Sequence, residues 1–315
     1  MEPTKKHISV ITACYNEEEN VAALIKAVRA VFEKLPQYTY EHVFIDNSSV
    51  DNTVAILKEI AATDKNVKVI VNARNFGHIR SPFHGMLQCK GDAVISMVAD
   101  FQDPPEMIAS FLAKWDEGYK IVIGVKKQSE ENRLMFMIRS FFYNLLSKMS
   151  DTGEKPIKNF TGFGLYDKQF IDVIRELEDP YPYFRGMITD LGFGRCEIDY
   201  IQRDRGKGKS KNNFFTLYDL AMLGFTNHSK LPLRLSVFIG IFSSIISLIV
   251  AVGYFIYKLI YWDRFSVGMA PLVIGVFFFS SVQLFFIGII GEYIGAIHTQ
   301  VRKRPLVIEK ERINF

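Results

Sequence analysis

Two long stretches without a charged side chain lie close together near the carboxyl end of this 315-residue chain. They run from Leu235 to Tyr257 and from Phe265 to Gly291. Each exceeds the roughly 20 residues that a helix needs to cross a bilayer. Neither shows the polar face of a helix on the surface of a soluble domain. The sequence therefore predicts a hairpin of two transmembrane helices, at about 235–257 and 267–291.

The charges around this hairpin predict its orientation. Basic residues flank both outer ends, namely Lys230, Arg234, Arg302, Lys303 and Arg304, and the short linking loop carries two more. The positive-inside rule places both outer ends in the cytoplasm. The amino terminus is polar and lacks an apolar run long enough for a signal peptide. We therefore expect a multi-pass protein of the inner (plasma) membrane with a cytoplasmic amino-terminal domain.

Strand-like and helix-like segments alternate before the hairpin. Strands are predicted over 8–13, 41–46, 67–71 and 93–98, and helices over 21–34, 53–62 and 82–89. This alternation indicates an α/β domain with a mostly parallel sheet and helices on both faces. The first turn contains neither GxGxxG nor GxxxxGK[ST], which excludes dinucleotide oxidoreductases and P-loop NTPases.

The strand predicted over 93–98 is followed by an acidic segment over 99–106 that includes Asp100 and Asp103. Ligands of open α/β sheets bind beyond the carboxyl ends of the strands. Carboxylates there suit Mg²⁺ or Mn²⁺ on a substrate diphosphate, which predicts a metal role for Asp100. Asp103 has two interpretations, because it could also be a helix N-cap, with Pro104 at the first helical position and Glu106 completing a capping box.

Polar residues also follow the first two strands, at Tyr15-Asn16-Glu17 and between Asp46 and Asp51. Three acidic strand ends from one sheet indicate a nucleotide site. The structural alternative for Tyr15 is a packed ring, and for Asp46 a strand-end cap. The three cysteines, Cys14, Cys89 and Cys196, are scattered, so we expect packing residues and neither a disulfide nor a CxxC site. The net charge of +4 does not indicate nucleic acid as a partner.

A basic, glycine-containing stretch over 203–211 precedes the hairpin. Glycines let the backbone close on an anion, and Arg and Lys supply charged donors. The alternative is a solvated loop attracted to lipid headgroups. The next segment, 214–223, is apolar around much of a helix and predicts an interfacial helix. We therefore divide the chain into a cytoplasmic domain over 1–212, a juxtamembrane amphipathic segment over 213–231, the hairpin over 232–300 and a cytoplasmic tail over 301–315.

In their order along the chain, these motifs resemble the family 2 glycosyltransferases of GT-A fold, and in particular the polyprenyl-phosphate branch that includes bactoprenol glucosyltransferases and dolichol-phosphate mannose synthases. The resemblance covers almost the whole chain. Its residues here are Tyr15-Asn16-Glu17, Asp46, Asp51, Arg74-Asn75-Phe76-Gly77-His78, the segment 99–106, Arg185-Gly186 and Gly208-Lys209-Ser210-Lys211.

The resemblance implies inverting transfer of a sugar from a nucleotide diphosphate sugar to polyprenyl (undecaprenyl) phosphate on the cytoplasmic leaflet. A UDP-sugar is the favoured donor, and GDP-mannose is the other possible one. The implied nucleotide-binding residues are Ala13, Tyr15, Glu17, Asp46, Asn47, Asn75 and Asp100. Asp100 and Gln102 would face Mg²⁺ or Mn²⁺, and Asp100 and Asp103 would be catalytic. Arg185, Arg203, Arg205, Ser210 and Lys211 would bind the acceptor phosphate. Further expected partners are the lipid bilayer, a second copy of the chain and a membrane flippase.

The chain departs from the family pattern at several positions. Val98 and Asn47 stand where many members have aspartate, Ala13 replaces a proline, and Gly162 and Gly164 replace the aspartate and arginine of GDFRL. A lipid monophosphate, with a second pKa near 6, is largely a dianion at cytoplasmic pH and needs no strong base. Asp167 is the acidic residue nearest in sequence that could replace the missing base at Gly162, but it is predicted to begin a helix.

Two alternative functions remain at this point. A processive polysaccharide synthase is one, although the chain has no QxxRW and only two tryptophans, Trp115 and Trp262. A catalytically impaired membrane scaffold is the other, and the missing acidic residues at Val98 and Gly162 motivate it.

Overall fold

The computed structural model describes residues 5–127, 157, 159–203, 231–261 and 269–315. Within them, eight strands form one mixed sheet in the order β7-β5-β6-β4-β1-β2-β3-β8. The strands are β1 (Lys6–Cys14), β2 (Tyr38–Asp46), β3 (Val67–Asn72), β4 (Ala93–Val98), β5 (Ile121–Lys126), β6 (Gly164–Asp167), β7 (Arg195–Tyr200) and β8 (Glu309–Ile313).

The described helices lie between these strands and in the predicted hairpin. They are α1 (Val21–Phe32), α2 (Thr53–Thr63), α3 (Gly77–Gln88), α4 (Met107–Asp116), α5 (Lys168–Glu176), α6 (Phe184–Asp190), α7 (Leu231–Ile260) and α8 (Met269–Val301). The predicted start of α3 at Pro82 is wrong. Proline favours the first turn of a helix, but here it lies inside a helix that begins at Gly77.

The predicted parallel core is confirmed. β1 pairs in parallel with β2 and β4, and β2 pairs in parallel with β3. The register sets Cys14 opposite Asp46 and Ala13 opposite Val98, so the carboxyl ends of three strands meet at one edge. Apolar residues are buried on both faces of the sheet, one cluster containing Leu24 and the other Phe83. This arrangement places the polar segments after β1, β2 and β4 side by side.

Two strands run antiparallel to their neighbours, which the sequence pattern does not indicate. β6 is antiparallel to β4 and β5, so its beginning lies at the carboxyl end of β4. β8 is antiparallel to β3 and forms one edge of the sheet. The predicted tail over 301–315 therefore contains a strand of the amino-terminal α/β domain. The charged side chains of Glu309–Ile313 suit an edge strand and conceal the usual apolar alternation.

Several polar contacts hold this last strand in place. The amide of Asn314 donates to the carbonyl oxygens of Ala61 at 2.6 Å and Val67 at 2.8 Å. The Lys58 Nζ atom lies 2.6 Å from Glu311. Because the same chain passes through α7 and α8 before it forms β8, both ends of the helix pair connect to one domain.

The two apolar helices agree in length and composition with the predicted hairpin. α7 contains a candidate membrane span over Leu233–Tyr257, and α8 contains one over Gly275–Val301. The second span ends ten residues later than predicted, because α8 continues past the single acidic residue Glu292. The predicted amphipathic segment over 213–231 lies outside the described residues.

We expect Gly164→Ala to destabilise the domain. A Cβ atom at Gly164 would lie 2.5 Å from the carbonyl oxygen of Val122, a contact that only backbone movement could relieve. Overpacking of this kind costs about 1–3 kcal/mol. The matched control is Gly194→Ala, where a Cβ would meet nothing within 4 Å. Thermal unfolding of the full-length variants in detergent tests the prediction, and equal melting temperatures for both would contradict it.

Candidate active site

The acidic segment after β4 forms a tight turn. Asp100 is buried, and its Oδ1 atom accepts a hydrogen bond from the backbone N–H of Gln102 at 3.2 Å. Phe101 between them has a φ of 60°, in the left-handed region. A bulky residue rarely adopts this conformation, and such residues occur at functional sites. The turn holds the Asp100 carboxylate against the backbone of Gln102 just after β4.

Asp103 is not the N-cap of the following helix, so that interpretation is wrong. α4 begins at Met107, with Glu106 in the cap position. A proline disfavours helical geometry at the residue before it. Pro104 precedes Pro105, so the helix begins later. The carboxylate of Asp103 instead accepts the backbone N–H of Val98 at 3.1 Å and the hydroxyl of Tyr200 at 3.0 Å.

Burial makes Asp103 a weaker acid than an exposed aspartate. Its side chain is only 2% exposed. Loss of hydration raises its pKa to about 6, even though the hydrogen bonds from Val98 and Tyr200 and the charge of Lys126 oppose this. The nearby charge of Asp100 raises the pKa further. Asp103 therefore exchanges a proton in the range in which a phosphate monoester also titrates.

A cavity of about 230 Å³ lies against Asp103. Ala13 and Val98 line it from the ends of β1 and β4, and Gly162 and Arg185 line it from the chain before β6 and from α6. Five residues of one face of α3 complete the wall, namely His78, Ile79, Pro82, Phe83 and Met86. The cavity is mostly apolar, with one buried carboxyl group and few other polar groups, which is the usual character of a small-molecule site.

The departures from the family pattern have a structural counterpart at this cavity. Val98 lines it and is 38% exposed. Gly162 has a φ of +103°, a conformation that an aspartate would adopt only with strain. Gly164 lies against the backbone of β5, where an arginine side chain would not fit without movement. The backbone of this segment is therefore adapted to glycine at both positions.

Asn47 and Asn75, two of the predicted nucleotide-binding residues, are brought together. The side-chain amide of Asn47 donates to Asn75 Oδ1 at 2.9 Å, and its carbonyl oxygen accepts the N–H of Phe76 at 2.8 Å. Asn47 thus joins the end of β2 to the start of α3. Glu17 lies at the end of β1, where its carboxylate accepts the amide of Asn20 at 2.6 Å.

Asp46 performs the strand-end role that was the alternative to nucleotide binding. It is fully buried, and its carboxylate accepts the N–H of Ser49 at 2.9 Å and its hydroxyl at 2.5 Å. Burial raises its pKa, while the bonds from Ser49 counteract this shift. Tyr15 is half-buried at the neighbouring strand end. The nucleotide contacts of Tyr15, Glu17 and Asp46 stay predictions.

The structure describes two of the five predicted acceptor-phosphate residues. Arg185 lies in α6 and lines the cavity. Arg203 is exposed, and its guanidinium lies 3.4 Å from the carboxylate of Glu106, beside the acidic turn. Arg205, Ser210 and Lys211 lie outside the described residues.

The oxygen ligands of the acidic turn fit a cation that arrives on a substrate. Among the described residues, no group of three or more His, Cys, Asp or Glu side chains could hold a metal by itself. Mg²⁺ in nucleotide sites typically takes one or two carboxylates and completes its shell with phosphate oxygens and water. Asp100, with Gln102 next to it, can provide this smaller protein share.

The structure also places Asp167, the cysteines and Tyr200. Asp167 is the N-cap of α5, as predicted, because its side chain accepts the N–H of Gln169. The cysteines are free thiols, with Cys14 and Cys89 buried. Tyr200, which donates to Asp103, was not predicted as a site residue. Its position at the end of a strand is the only sequence signal that could have indicated it.

Comparison with known proteins identifies the family. Residues 9–173, more than half of the chain, match the profile of glycosyl transferase family 2. The chain belongs to glycosyl transferase family 2. This glycosyltransferase has the GT-A fold that its motifs implied. The crystal structure of a mycobacterial protein shares the fold with a TM-score of 0.50 at 14% identity, covering 70% of this chain and 73% of the other.

Two relatives match the glycosyltransferase over nearly its whole length. It is 33% identical over 312 residues to the glycosyltransferase YkcC of Bacillus subtilis, covering 96% of this chain and 94% of that protein. It is also 33% identical over 305 residues to the SfII prophage-derived bactoprenol glucosyl transferase of Shigella flexneri, covering 96% and 97%. The similarity therefore includes the apolar hairpin as well as the catalytic domain.

Proposed function

We propose that this glycosyltransferase transfers a sugar from a nucleotide diphosphate sugar to polyprenyl phosphate at the cytoplasmic face of the plasma membrane. The observation that carries the proposal is the cavity lined by Asp103, at the acidic turn after β4, in a chain that continues into a two-helix apolar hairpin. Full-length similarity to a bactoprenol glucosyl transferase supports a prenyl phosphate acceptor. A UDP-sugar is the favoured donor, and GDP-mannose is the second candidate.

The proposed step is a single displacement with inversion at the sugar. An oxygen of the acceptor phosphate attacks the anomeric carbon while the bond from that carbon to the donor diphosphate breaks. The electron pair of the broken bond passes to the diphosphate, which leaves as the nucleoside diphosphate. Asp100 and Gln102 would hold Mg²⁺ or Mn²⁺, and the cation supplies charge neutralisation at the leaving diphosphate. Arg185 and the basic stretch over 203–211 would orient the acceptor.

The path of the chain supports a placement of both substrates on the same side of the membrane. β8 follows α8 and pairs with β3, so the chain must return to the catalytic domain after the hairpin. Two crossings satisfy this requirement, and a single crossing would not. The basic residues after α8 then favour the cytoplasmic side.

The test is a screen of the full-length protein in detergent with polyprenyl phosphate and a panel of radiolabelled nucleotide sugars. We expect label from one donor to enter the lipid extract, dependent on the acceptor and abolished by excess EDTA. Label in a water-soluble polymer would favour a processive synthase. No transfer from any donor would favour the impaired scaffold.

The Asp103→Asn variant distinguishes two mechanisms. In one, the acceptor phosphate attacks as a dianion without a base; in the other, Asp103 acts as the base. We expect the variant to retain a single-turnover rate within about tenfold, roughly 1.4 kcal/mol of barrier. Below about pH 6, Asp103, with a pKa of about 6, becomes neutral, and the acceptor phosphate changes from a dianion to a monoanion. The acid limb of the pH profile should therefore persist in the variant, because the phosphate still titrates.

The opposite result assigns the base. A fall of about a thousandfold with unchanged donor and metal affinity, together with loss of the acid limb, would show that Asp103 removes the proton. Tyr200→Phe serves as the matched control, since it deletes the hydroxyl that donates to Asp103 and keeps the carboxylate.

A further inference from the structure

Three arginines from two distant parts of the sequence, Arg74 and Arg80 in one and Arg304 in the other, lie near each other just after α8 ends. Arg74 and Arg80 both lie over the ring of Phe76, with guanidinium carbons 4.1 Å and 5.5 Å from its centroid. The guanidinium of Arg80 donates to the carbonyl oxygen of Pro305, which follows Arg304 directly. We call Arg74, Arg80 and Arg304 the arginine patch.

None of the three arginines of the patch lines the cavity, and Arg80 lies on the face of α3 opposite to it. The cavity contacts of α3 start at His78 and Ile79 and repeat at Pro82, Phe83 and Met86, which is one helix face. Arg80 and His84 lie on the opposite face, four residues apart, and both contact the carboxyl-terminal tail. The arginine patch is therefore separate from the cavity, although α3 contributes to both.

No carboxylate among the described residues neutralises the charges of the arginine patch. Burial lowers the pKa of Arg80, and the neighbouring positive charges of Arg74 and Arg304 lower it further. The Nε atom of Arg80 is buried and has no hydrogen-bond partner among the described residues. Clustered guanidinium groups with unused donors are typical of phosphate recognition.

The place of the arginine patch just after a candidate membrane span points to its ligand. α8 ends at Val301, and the exposed basic residues Arg302 and Lys303 lie between it and Arg304. A patch so close to the end of a membrane span lies at the level of lipid headgroups, where anionic lipids attract basic groups. This step rests on the membrane insertion proposed above.

We propose that the arginine patch binds the headgroup phosphate of an anionic bilayer phospholipid and thereby joins α3 to the membrane surface. The bound lipid would contact the catalytic domain through Arg74 and Arg80 and the tail through Arg304. It would also steady the start of α3, where Asn75 and Phe76 contact Asn47. The ligand is a structural phospholipid and not the acceptor.

Hydrogen exchange of the full-length protein in nanodiscs tests this proposal. Peptides covering 73–80 and 302–306 are followed in phosphatidylcholine alone and with 30% phosphatidylglycerol. We expect exchange to slow at least threefold with phosphatidylglycerol in the wild type. The double variant Arg80→Gln/Arg304→Gln should lose this difference. The control Lys26→Gln/Lys34→Gln removes the same charge from exposed positions in and after α1 and should keep it.

Three results would overturn the proposal: wild-type exchange insensitive to phosphatidylglycerol, equal protection in the double variant, or equal protection by 1% polyprenyl phosphate in phosphatidylcholine. The last result would assign the arginines to the acceptor. The exchange comparison needs only an inserted protein, so absent sugar transfer by the wild type would refute the proposed function without affecting it.

Discussion

Asp100→Asn is expected to lower turnover at least a hundredfold, about 2.7 kcal/mol of transition-state stabilisation. Asp100 is buried on the turn after β4, and Val98 removes the second acidic residue that many family members have there. The variant would therefore retain no aspartate from this pair to hold a cation at the leaving diphosphate. Initial rates at saturating donor, with Mg²⁺ and with Mn²⁺, measure the effect.

The matched control for this substitution is Asp199→Asn, which neutralises an exposed aspartate on β7. Its rate should equal that of the wild type. Full activity of Asp100→Asn, or full activity of the wild type in excess EDTA, would contradict the proposed metal role.

Arg205→Ala and Lys211→Ala are expected to impair use of the lipid phosphate far more than binding of the nucleotide. Loss of one desolvated ion contact costs roughly 2–5 kcal/mol when a phosphate charge is left unpaired. Rates at varied polyprenyl phosphate should show this loss, while calorimetry with the nucleoside diphosphate should show nearly unchanged affinity.

The control for the acceptor variants is Lys127→Ala, which removes an exposed lysine that directly follows β5 and is outside the proposed machinery. A parallel collapse of nucleotide affinity in Arg205→Ala and Lys211→Ala would reassign the basic stretch to the donor.

The sequence predicts the central strands well because their burial leaves a direct pattern. β1 and β4 are covered on both faces, so their residues read as short continuous apolar runs with polar segments at one end. The edge strand β8 has no such pattern, since its side chains are charged and mostly exposed. Its place in the sheet depends on contacts with α2, α3 and β3, which are distant in sequence.

The sequence predicts the candidate site only in part, because some of its features depend on contacts between residues that are distant in sequence. Asp100 follows β4, as the sequence predicts, and its role at the metal stays a prediction. Asp103 fits a capping pattern equally well, and only the delay of α4 and the hydroxyl of Tyr200 distinguish the two interpretations. The cavity wall from α3 requires knowledge of which helix face meets the sheet. Local sequence does not contain that information.

The central claim is that the sugar is joined directly to the phosphate of a polyprenyl monophosphate. The most direct measurement is mass spectrometry of the lipid product together with quantification of the released nucleotide. We predict a polyprenyl monophosphate sugar and one nucleoside diphosphate released per sugar transferred. A polyprenyl diphosphate sugar with release of nucleoside monophosphate, or free sugar without a lipid product, would contradict the proposal.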